Sequence, residues 1–259
     1  MRSIKLCSVL CLVFLVIVFP ACAQKEPSAA EPSVAASSAP VVTSALGTAA
    51  IHGSVTFEGT PSGEAPINMN SDPVCTSLNK APVYPEDVVV NGKHLENVFV
   101  YVKHGLEQYS FNAPAEPVIL NQDGCRYSPH VLGMMVNQKL RIVNSDATLH
   151  NVHGQADRNP SFNIGQPLKG MTTERSFAAP EVMIRFKCDV HKWMSAYAGV
   201  LSHPYFGVTG SDGTFAFENL PPGEYVIEAW HEKLGTESQT VKVGDHETKS
   251  INFSFKEGL

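Results

Sequence analysis

The chain has 259 residues, of which 43% are hydrophobic and 17% are charged, a composition typical of a globular protein and not of collagen or a multi-span membrane protein. Its formal net charge of −6 has the wrong sign for a nucleic-acid binder, which must neutralise phosphates. Neither common Gly-rich phosphate loop is present, which argues against a nucleotide-dependent enzyme.

Residues 1–21 have the features of a secretory signal peptide. Arg2 and Lys5 precede the apolar run 6–19, which is shorter than the ~20 residues that span a bilayer. The run ends with a small residue directly before Cys22, and this arrangement resembles the bacterial lipobox, whose cysteine is acylated after cleavage. The resemblance implies an exported protein that Cys22 anchors to the cell envelope, at the outer membrane on its periplasmic or surface side. Simple cleavage, with Cys22 as a free thiol, is the alternative.

Residues 22–49 form a predicted tether. Between Ala23 and Ala50, 19 of 28 residues are Ala, Ser, Pro or Thr and none is aromatic. Such a segment cannot bury enough apolar surface to offset the entropy lost on ordering. We therefore expect a flexible link between the anchor and a folded domain.

Three cysteines remain in the folded part once the signal peptide and Cys22 are set aside. Cys75 and Cys125 lie in turn-like sequences, whereas Cys188 opens the run Cys-Asp-Val-His-Lys-Trp-Met. An exported protein is exposed to oxidising conditions, which favour disulfides. We therefore predict a Cys75–Cys125 disulfide and a separate Cys188 thiolate.

The segment that ends at Cys188 combines a strand with a set of soft metal ligands. Apolar residues alternate from Val182 to Phe186, which predicts a strand with Cys188 on its inward face. His191 follows three residues later and Met194 three after that. A thiolate, an imidazole and a thioether favour copper over hard cations.

A second histidine is available upstream, in the His-Asn-Val-His sequence that begins at His150, 38 residues before Cys188. This sequence together with Cys-x-x-His-x-x-Met resembles the cupredoxins, most closely the amicyanin-type proteins. The resemblance implies one type 1 copper ion with His150, Cys188 and His191 as ligands and Met194 as the axial ligand. It also implies that Asn151 supports the two ligand loops through hydrogen bonds.

Three alternatives to this ligand set stay open. His153 competes with His150 for the first histidine position. The domain could also have the cupredoxin fold without its metal. Zinc accepts cysteine and histidine as well, although the Met194 thioether favours copper.

The C-terminal part carries a second resemblance. An Asp212-Gly213 turn with Phe215 two residues beyond it, followed by Leu-Pro-Pro-Gly-x-Tyr225, resembles the carboxypeptidase regulatory-like, or transthyretin-like, β-sandwich modules. Their first strands are missing after residue 204 but occur near Ile51 and Val98. We therefore predict one sandwich built from 50–110 and 205–259, with a cupredoxin-like Greek-key sandwich over 115–202 inserted into it. A cupredoxin with an extended amino-terminal half and a separate C-terminal module is the alternative.

The predicted fold class is all-β, since strands and turn residues follow one another from residue 50 onward. The common hydrolase and metalloprotease motifs are missing, so we expect no enzyme. The predicted function is single-electron transfer by a membrane-tethered blue-copper protein with the His191 edge near the surface. Extracytoplasmic redox proteins such as c-type cytochromes are the expected partners, and nucleic acid is not. An envelope binding or adhesion protein and a copper storage or delivery protein are the alternative functions.

Overall fold

A computed structural model describes residues 47–257, and within this range the fold is all-β as predicted. The single helix of that range, α1, is Pro73–Leu78. The strands are β1 Ala49–Glu58, β2 Val90–Asn91, β3 His94–Leu95, β4 Phe99–His104, β5 Val118–Asp123, β6 Arg126–Ser128, β7 Val131–Met135, β8 Leu140–Asn144, β9 His150–Gln155, β10 Phe162–Gln166, β11 Thr172–Arg175, β12 Glu181–Lys187, β13 Ser195–Leu201, β14 Phe206–Val208, β15 Thr214–Leu220, β16 Gly223–His231, β17 Gly235–Val243 and β18 Thr248–Lys256.

The predictions for the signal peptide, the Cys22 anchor and nearly all of the tether lie outside the described residues. Within residues 47–257, no helix has the length and apolar character that a membrane crossing requires.

Two sheets combine strands from both ends of the described range. The first has the order β15-β1-β3-β2, with β18 paired in parallel to β1, and the second has the order β14-β4-β16-β17. Their inner faces share one apolar core, in which Phe217, Tyr225 and Phe253 are among the largest fully buried side chains. The strands before residue 105 and after residue 205 therefore depend on one another for burial.

The Asp-Gly and Pro-Pro-Gly turns fall where the sequence places them, at each end of β15. The strands on either side of the Pro-Pro-Gly turn do not pair with each other. β15 pairs with β1, whereas β16 pairs with β4 and β17 in the other sheet. The Pro-Pro-Gly turn thus carries the chain from one sheet to the other.

The middle of the chain forms the other two sheets, in the orders β10-β9-β12-β13-β7 and β11-β8-β5-β6. Alternating burial along β12 turns Ile184 and Phe186 inward, as the sequence pattern predicts, and the buried Cys188 follows. These residues belong to a second apolar core that lies between the two middle sheets. The division of the four sheets into a split sandwich, 50–110 with 205–259, and an inserted domain, 115–202, stays a prediction.

Two glycines allow a close approach between a middle sheet and a terminal one. Gly133 of β7 and Gly199 of β13 are register partners, and the rings of Phe99 and Phe206 lie directly on them. A Cβ atom at either glycine would overlap an aromatic ring. The flat backbone at this point lets β4 and β14 pack against the sheet that carries the predicted ligands.

Candidate metal centre

The structure brings three of the predicted ligands together at one end of the middle sheets. His150 begins β9, Cys188 follows the neighbouring strand β12, and His191 lies in the turn before β13. The Nδ1 atoms of the two histidines are 3.0 Å apart, and the Cys188 Sγ lies 3.9 Å from the Nδ1 of His191. None of the three residues is more than 2% exposed, so water is largely excluded from the cluster.

The turn between β12 and β13 is folded around the Cys188 sulfur. The His191 amide donates a hydrogen bond to the Cys188 Sγ at 3.3 Å, and the Met194 amide donates to the His191 carbonyl at 2.9 Å. The Cys188 amide in turn donates to the Met194 carbonyl at 3.2 Å. Met194 is buried in the same apolar core as Cys188. All four predicted ligands therefore lie on two adjacent segments, and their role as ligands stays a prediction.

Asn151 connects the two segments through hydrogen bonds. Its Oδ1 accepts from the Asp189 amide at 2.7 Å and from the Cys188 Sγ at 3.3 Å. Its Nδ2 donates to the side chains of Asn163 and Asp189. The residue therefore occupies the bracing position that the resemblance implies.

His153 lies apart from the cluster. Its Nδ1 is 3.1 Å from a carboxylate oxygen of Asp189, and its side chain is 29% exposed. Along β9, His150 is buried with the cluster, whereas His153 lies on the outer side of the turn that follows Cys188, where it contacts Asp189. Of the two candidate histidines, the structure places His150 beside Cys188 and His191.

Each clustered imidazole is held on its far side by a carboxylate. The Nε2 of His150 is 3.0 Å from Asp146, and the Nε2 of His191 is 3.0 Å from Asp72. A proton on Nε2, donated to the carboxylate, leaves the lone pair on Nδ1, and this arrangement orients the histidine ligands of many metal sites. Asp146 is itself fixed, because it accepts from the backbone amides of Gly124 and Cys125 at 2.9 and 2.7 Å.

The charges of the cluster favour a bound cation. Burial opposes ionisation, but the hydrogen bonds that the imidazole donates to Asp146 and to the Cys188 sulfur raise the pKa of His150 to about 9. Burial likewise opposes the Cys188 thiolate, yet hydrogen bonds that the sulfur accepts from the His150 side chain and from backbone amides, including that of Asn151, leave the pKa of the thiol below its usual value. Burial and the neighbouring His150 lower the pKa of His191, although Asp72 counteracts them.

These residues fit a soft metal ion. Two Nδ1 atoms that face each other at 3.0 Å would place two lone pairs together if both rings were neutral with Nε2 protonated. A proton on His150 relieves that contact in the metal-free protein, and a metal ion would relieve it by accepting both lone pairs. One thiolate, two imidazoles and a nearby thioether form a donor set that suits copper.

A short segment covers His191 on its outer side, so the His191 edge that the sequence places near the surface is not itself exposed. Asp72 caps α1 and contacts His191, and the predicted disulfide joins Cys75 of that helix to Cys125. The Cys75 Sγ lies 3.7 Å from the Nε2 of His191. The ring of Trp193 packs on the same imidazole, with 5.0 Å between ring centroids. These contacts leave His191 only 2% exposed.

Sequence reasoning missed both carboxylates. Asp146 lies four residues before His150 in the same polar turn, and this spacing was a local signal for it. Asp72 is 119 residues from His191, so its contact follows only from the tertiary fold. The one sequence clue was the disulfide, because Asp72 lies three residues before Cys75.

Comparison with known proteins finds similar structures among the cupredoxins. The Cu(I) form of an amicyanin mutant matches with 19% identity and a TM-score of 0.29, over 32% of this chain and 81% of that one. A purple cupredoxin from Nitrosopumilus maritimus matches with 22% identity and a TM-score of 0.27, over 32% and 97%. No protein-family model and no curated protein matches the chain. Because these TM-scores are below 0.5, the case for copper rests on the clustered side chains.

The comparison also corrects the exclusion of enzymatic activity. A copper-containing nitrite reductase from Thermus scotoductus SA-01 matches with 21% identity and a TM-score of 0.31, over 48% of this chain and 28% of that one. The similar structures thus include an enzyme, and the expectation of no enzyme is corrected accordingly: the sequence does not exclude one. The missing hydrolase and protease motifs do not bear on copper chemistry.

Proposed function

We propose that this protein is a membrane-tethered type 1 copper protein that passes single electrons between extracytoplasmic redox partners. The observation that carries the proposal is the buried convergence of Cys188, His150 and His191, with Met194 on the same turn. Bound copper would supply the one-electron couple.

The protein residues would bind the ion and hold its surroundings rigid. Asp146 and Asp72 would keep the Nδ1 atoms of the two histidines directed at the ion, and Asn151 holds the Cys188 loop against β9. Burial keeps water away from the sulfur, which protects the thiolate and favours a small structural change between oxidation states. A site that changes little on oxidation suits rapid electron exchange.

The proposed location and partners follow from the sequence. A lipid on Cys22 and the tether 22–49 would hold the folded part near a membrane while leaving it free to reach partners. The net charge of −6 favours a partner with a basic surface, such as a c-type cytochrome. We expect the association rate to fall as salt screens this attraction.

The test is a titration of the chain from Ala23 onward with Cu(II), followed by visible absorption and paramagnetic resonance. We expect an intense blue band with narrow copper hyperfine splitting, bleached by reductant. Cys188→Ser and His150→Gln should abolish it, because each removes a donor atom. His153→Gln is the matched control, since it changes the same residue type in the same strand, and its spectrum should equal that of the wild type.

Two results would overturn the proposal. One is a wild-type protein that shows no blue band at equimolar Cu(II). The other is a band that survives Cys188→Ser. Loss of the band in His153→Gln with retention in His150→Gln would instead reassign the first histidine ligand.

A further inference from the structure

The segment Ile67–Val83, here termed the lid, has a closed geometry of its own. Its base is closed by a backbone hydrogen bond from the Ile67 amide to the Val83 carbonyl, at 2.8 Å. Met69 and Cys75 pack inside it against Cys125 and Trp193, in an apolar cluster separate from the main cores. The lid is therefore attached by packing at the end of the middle sheets where the predicted ligands lie.

Two covalent or polar contacts fix the lid to the turn after β5. The disulfide joins Cys75 to Cys125. The Asn79 amide, at the end of α1, donates to the carbonyls of Cys75 and Gly124 at 2.9 and 3.0 Å. The same turn holds Asp146, the carboxylate that contacts His150. This one turn thus positions Asp146, which contacts His150, and also anchors the lid, which carries Asp72, the residue that contacts His191.

The two carboxylate oxygens of Asp72 have different partners. Oδ1 accepts from the Val74 and Cys75 amides at 2.7 and 3.3 Å and so caps α1. Oδ2 accepts from the Thr148 hydroxyl at 2.8 Å and contacts the Nε2 of His191 at 3.0 Å. Helix capping accounts for only one oxygen, and the other is directed at a predicted metal ligand.

We propose that the lid is a disulfide-fastened cover of the metal centre, in which Asp72 is a positioning residue that holds the His191 ring with Nδ1 toward the metal. This inference rests on the proposed function and says how the lid and Asp72 control the same metal centre. It has two consequences. The Asp72 carboxylate strengthens His191 as a donor and stabilises Cu(II) more than Cu(I), because the ion of higher charge gains more from a nearby anion. The closed lid also limits the exchange of metal with solution.

The first experiment compares Asp72→Asn with the wild type. Asparagine caps helices as well as aspartate does, so the substitution keeps α1 while it removes the negative charge at Nε2. We expect Cu(II) affinity to fall about 10- to 100-fold with a smaller loss for Cu(I). Each tenfold difference between the two losses raises the one-electron potential by about 59 mV.

The matched control is Asp123→Asn, which removes the same charge from an exposed side chain at the end of β5. We expect its Cu(II) affinity to stay within about threefold of the wild type, since the charge is screened by solvent. Equal affinity and potential in Asp72→Asn and the wild type would overturn the positioning role. Equal changes in Asp72→Asn and Asp123→Asn would overturn it as well, because long-range charge would then explain both.

A measurement on the metal-free protein separates this inference from the proposed function. Long-range ¹H–¹⁵N NMR should show the proton of His191 on Nε2 in the wild type and its redistribution in Asp72→Asn. A wild-type protein that binds no copper would overturn the proposed function, yet the tautomer would still report whether Asp72 orients the ring. A His191 tautomer that is the same in both proteins would overturn the inference alone.

The second experiment reduces the disulfide that fastens the lid. A small dithiol reductant donates two electrons and two protons to the Cys75–Cys125 bond and leaves as its own disulfide. We expect transfer of Cu(I) to an external chelator to become at least about tenfold faster after reduction, and equally fast in the Cys75→Ser/Cys125→Ser variant. An unchanged rate in protein whose two thiols are shown by thiol titration to be free would overturn the lid's role as a cover.

Discussion

Buried histidines lie in two regions of this molecule, and their partners differ. Beside Cys188, His150 contacts a buried carboxylate, and the pKa of its imidazole is raised to about 9. Among the terminal sheets, His203 and His231 are as buried but bond to backbone groups, and burial lowers the pKa of each to about 4. The partner atoms, more than the burial, decide whether His150, His203 and His231 are kept charged or neutral. The three predictions that follow test this difference and the packing that separates the two regions.

The largest effect is expected at Asp146. Asp146→Ala removes the acceptor of the Gly124 and Cys125 amides and the partner of His150, so buried donors and a buried charge lose their partner. We expect the free energy of unfolding to fall by about 3–5 kcal/mol. Urea denaturation of the metal-free protein at pH 7 measures it.

The control for this prediction is Asp189→Ala, which removes a carboxylate that is 42% exposed, pairs with Lys187 and His153, and accepts hydrogen bonds from the side-chain amides of Asn151 and Asn163. We expect a loss of at most about 1 kcal/mol, as for exposed ion pairs. Equal losses in the two variants would show that the buried carboxylate of Asp146 contributes no more to the free energy of unfolding than an exposed one.

The next effect is a dependence of stability on pH in the region of the terminal sheets. The pKa of His203 is about 4 in the folded protein, against about 6.5 in an unfolded chain, so the unfolded chain binds more protons between these two pH values. The stability that His203 contributes is complete above pH 6.5 and is lost as the pH falls toward 4. The loss is about 3 kcal/mol, and His231 should add a similar one.

His203→Gln provides the measurement, by urea denaturation of the metal-free protein at intervals from pH 7 to pH 4. Its free energy of unfolding should change less steeply with pH than that of the wild type over this range. His150, whose pKa is raised, should act in the opposite direction, with stability lost as the pH rises from 6.5 to 9. Parallel profiles for His203→Gln and the wild type would contradict the assignment.

The smallest effect concerns the contact between the middle and terminal sheets. Gly199→Ala places a methyl group against the ring of Phe99, which must shift within a packed core. We expect a loss of about 1–3 kcal/mol in the free energy of unfolding. Gly165→Ala, in β10, is the control because no atom lies within 4 Å of the added methyl, and it should change stability by less than about 0.5 kcal/mol. A Gly199→Ala protein as stable as this control would mean that the two sheets separate easily.

The sequence was sufficient for features that depend on local patterns. Alternation in β12 placed Cys188 on the inward face, and cysteine arithmetic predicted the Cys75–Cys125 disulfide that the structure contains. The covering of His191 could not be predicted, because Asp72 reaches it only after the lid folds over the end of the middle sheets. Likewise, the sequence did not predict that β15 and β16 lie in different sheets, because turn residues mark where a chain reverses and not which strand will be its neighbour.

The parallel pairing of β1 with β18 sets an order of events during synthesis. Residues such as Ile51 and Lys249 are partners, although almost the whole described chain separates them. At ~20 residues per second or less, β18 leaves the ribosome on the order of ten seconds after β1. During that interval one side of β1 has no neighbour, and an unpaired strand of this kind is a template for association with other chains. For this protein, the time before the last strand arrives is therefore the period in which a chaperone would matter most.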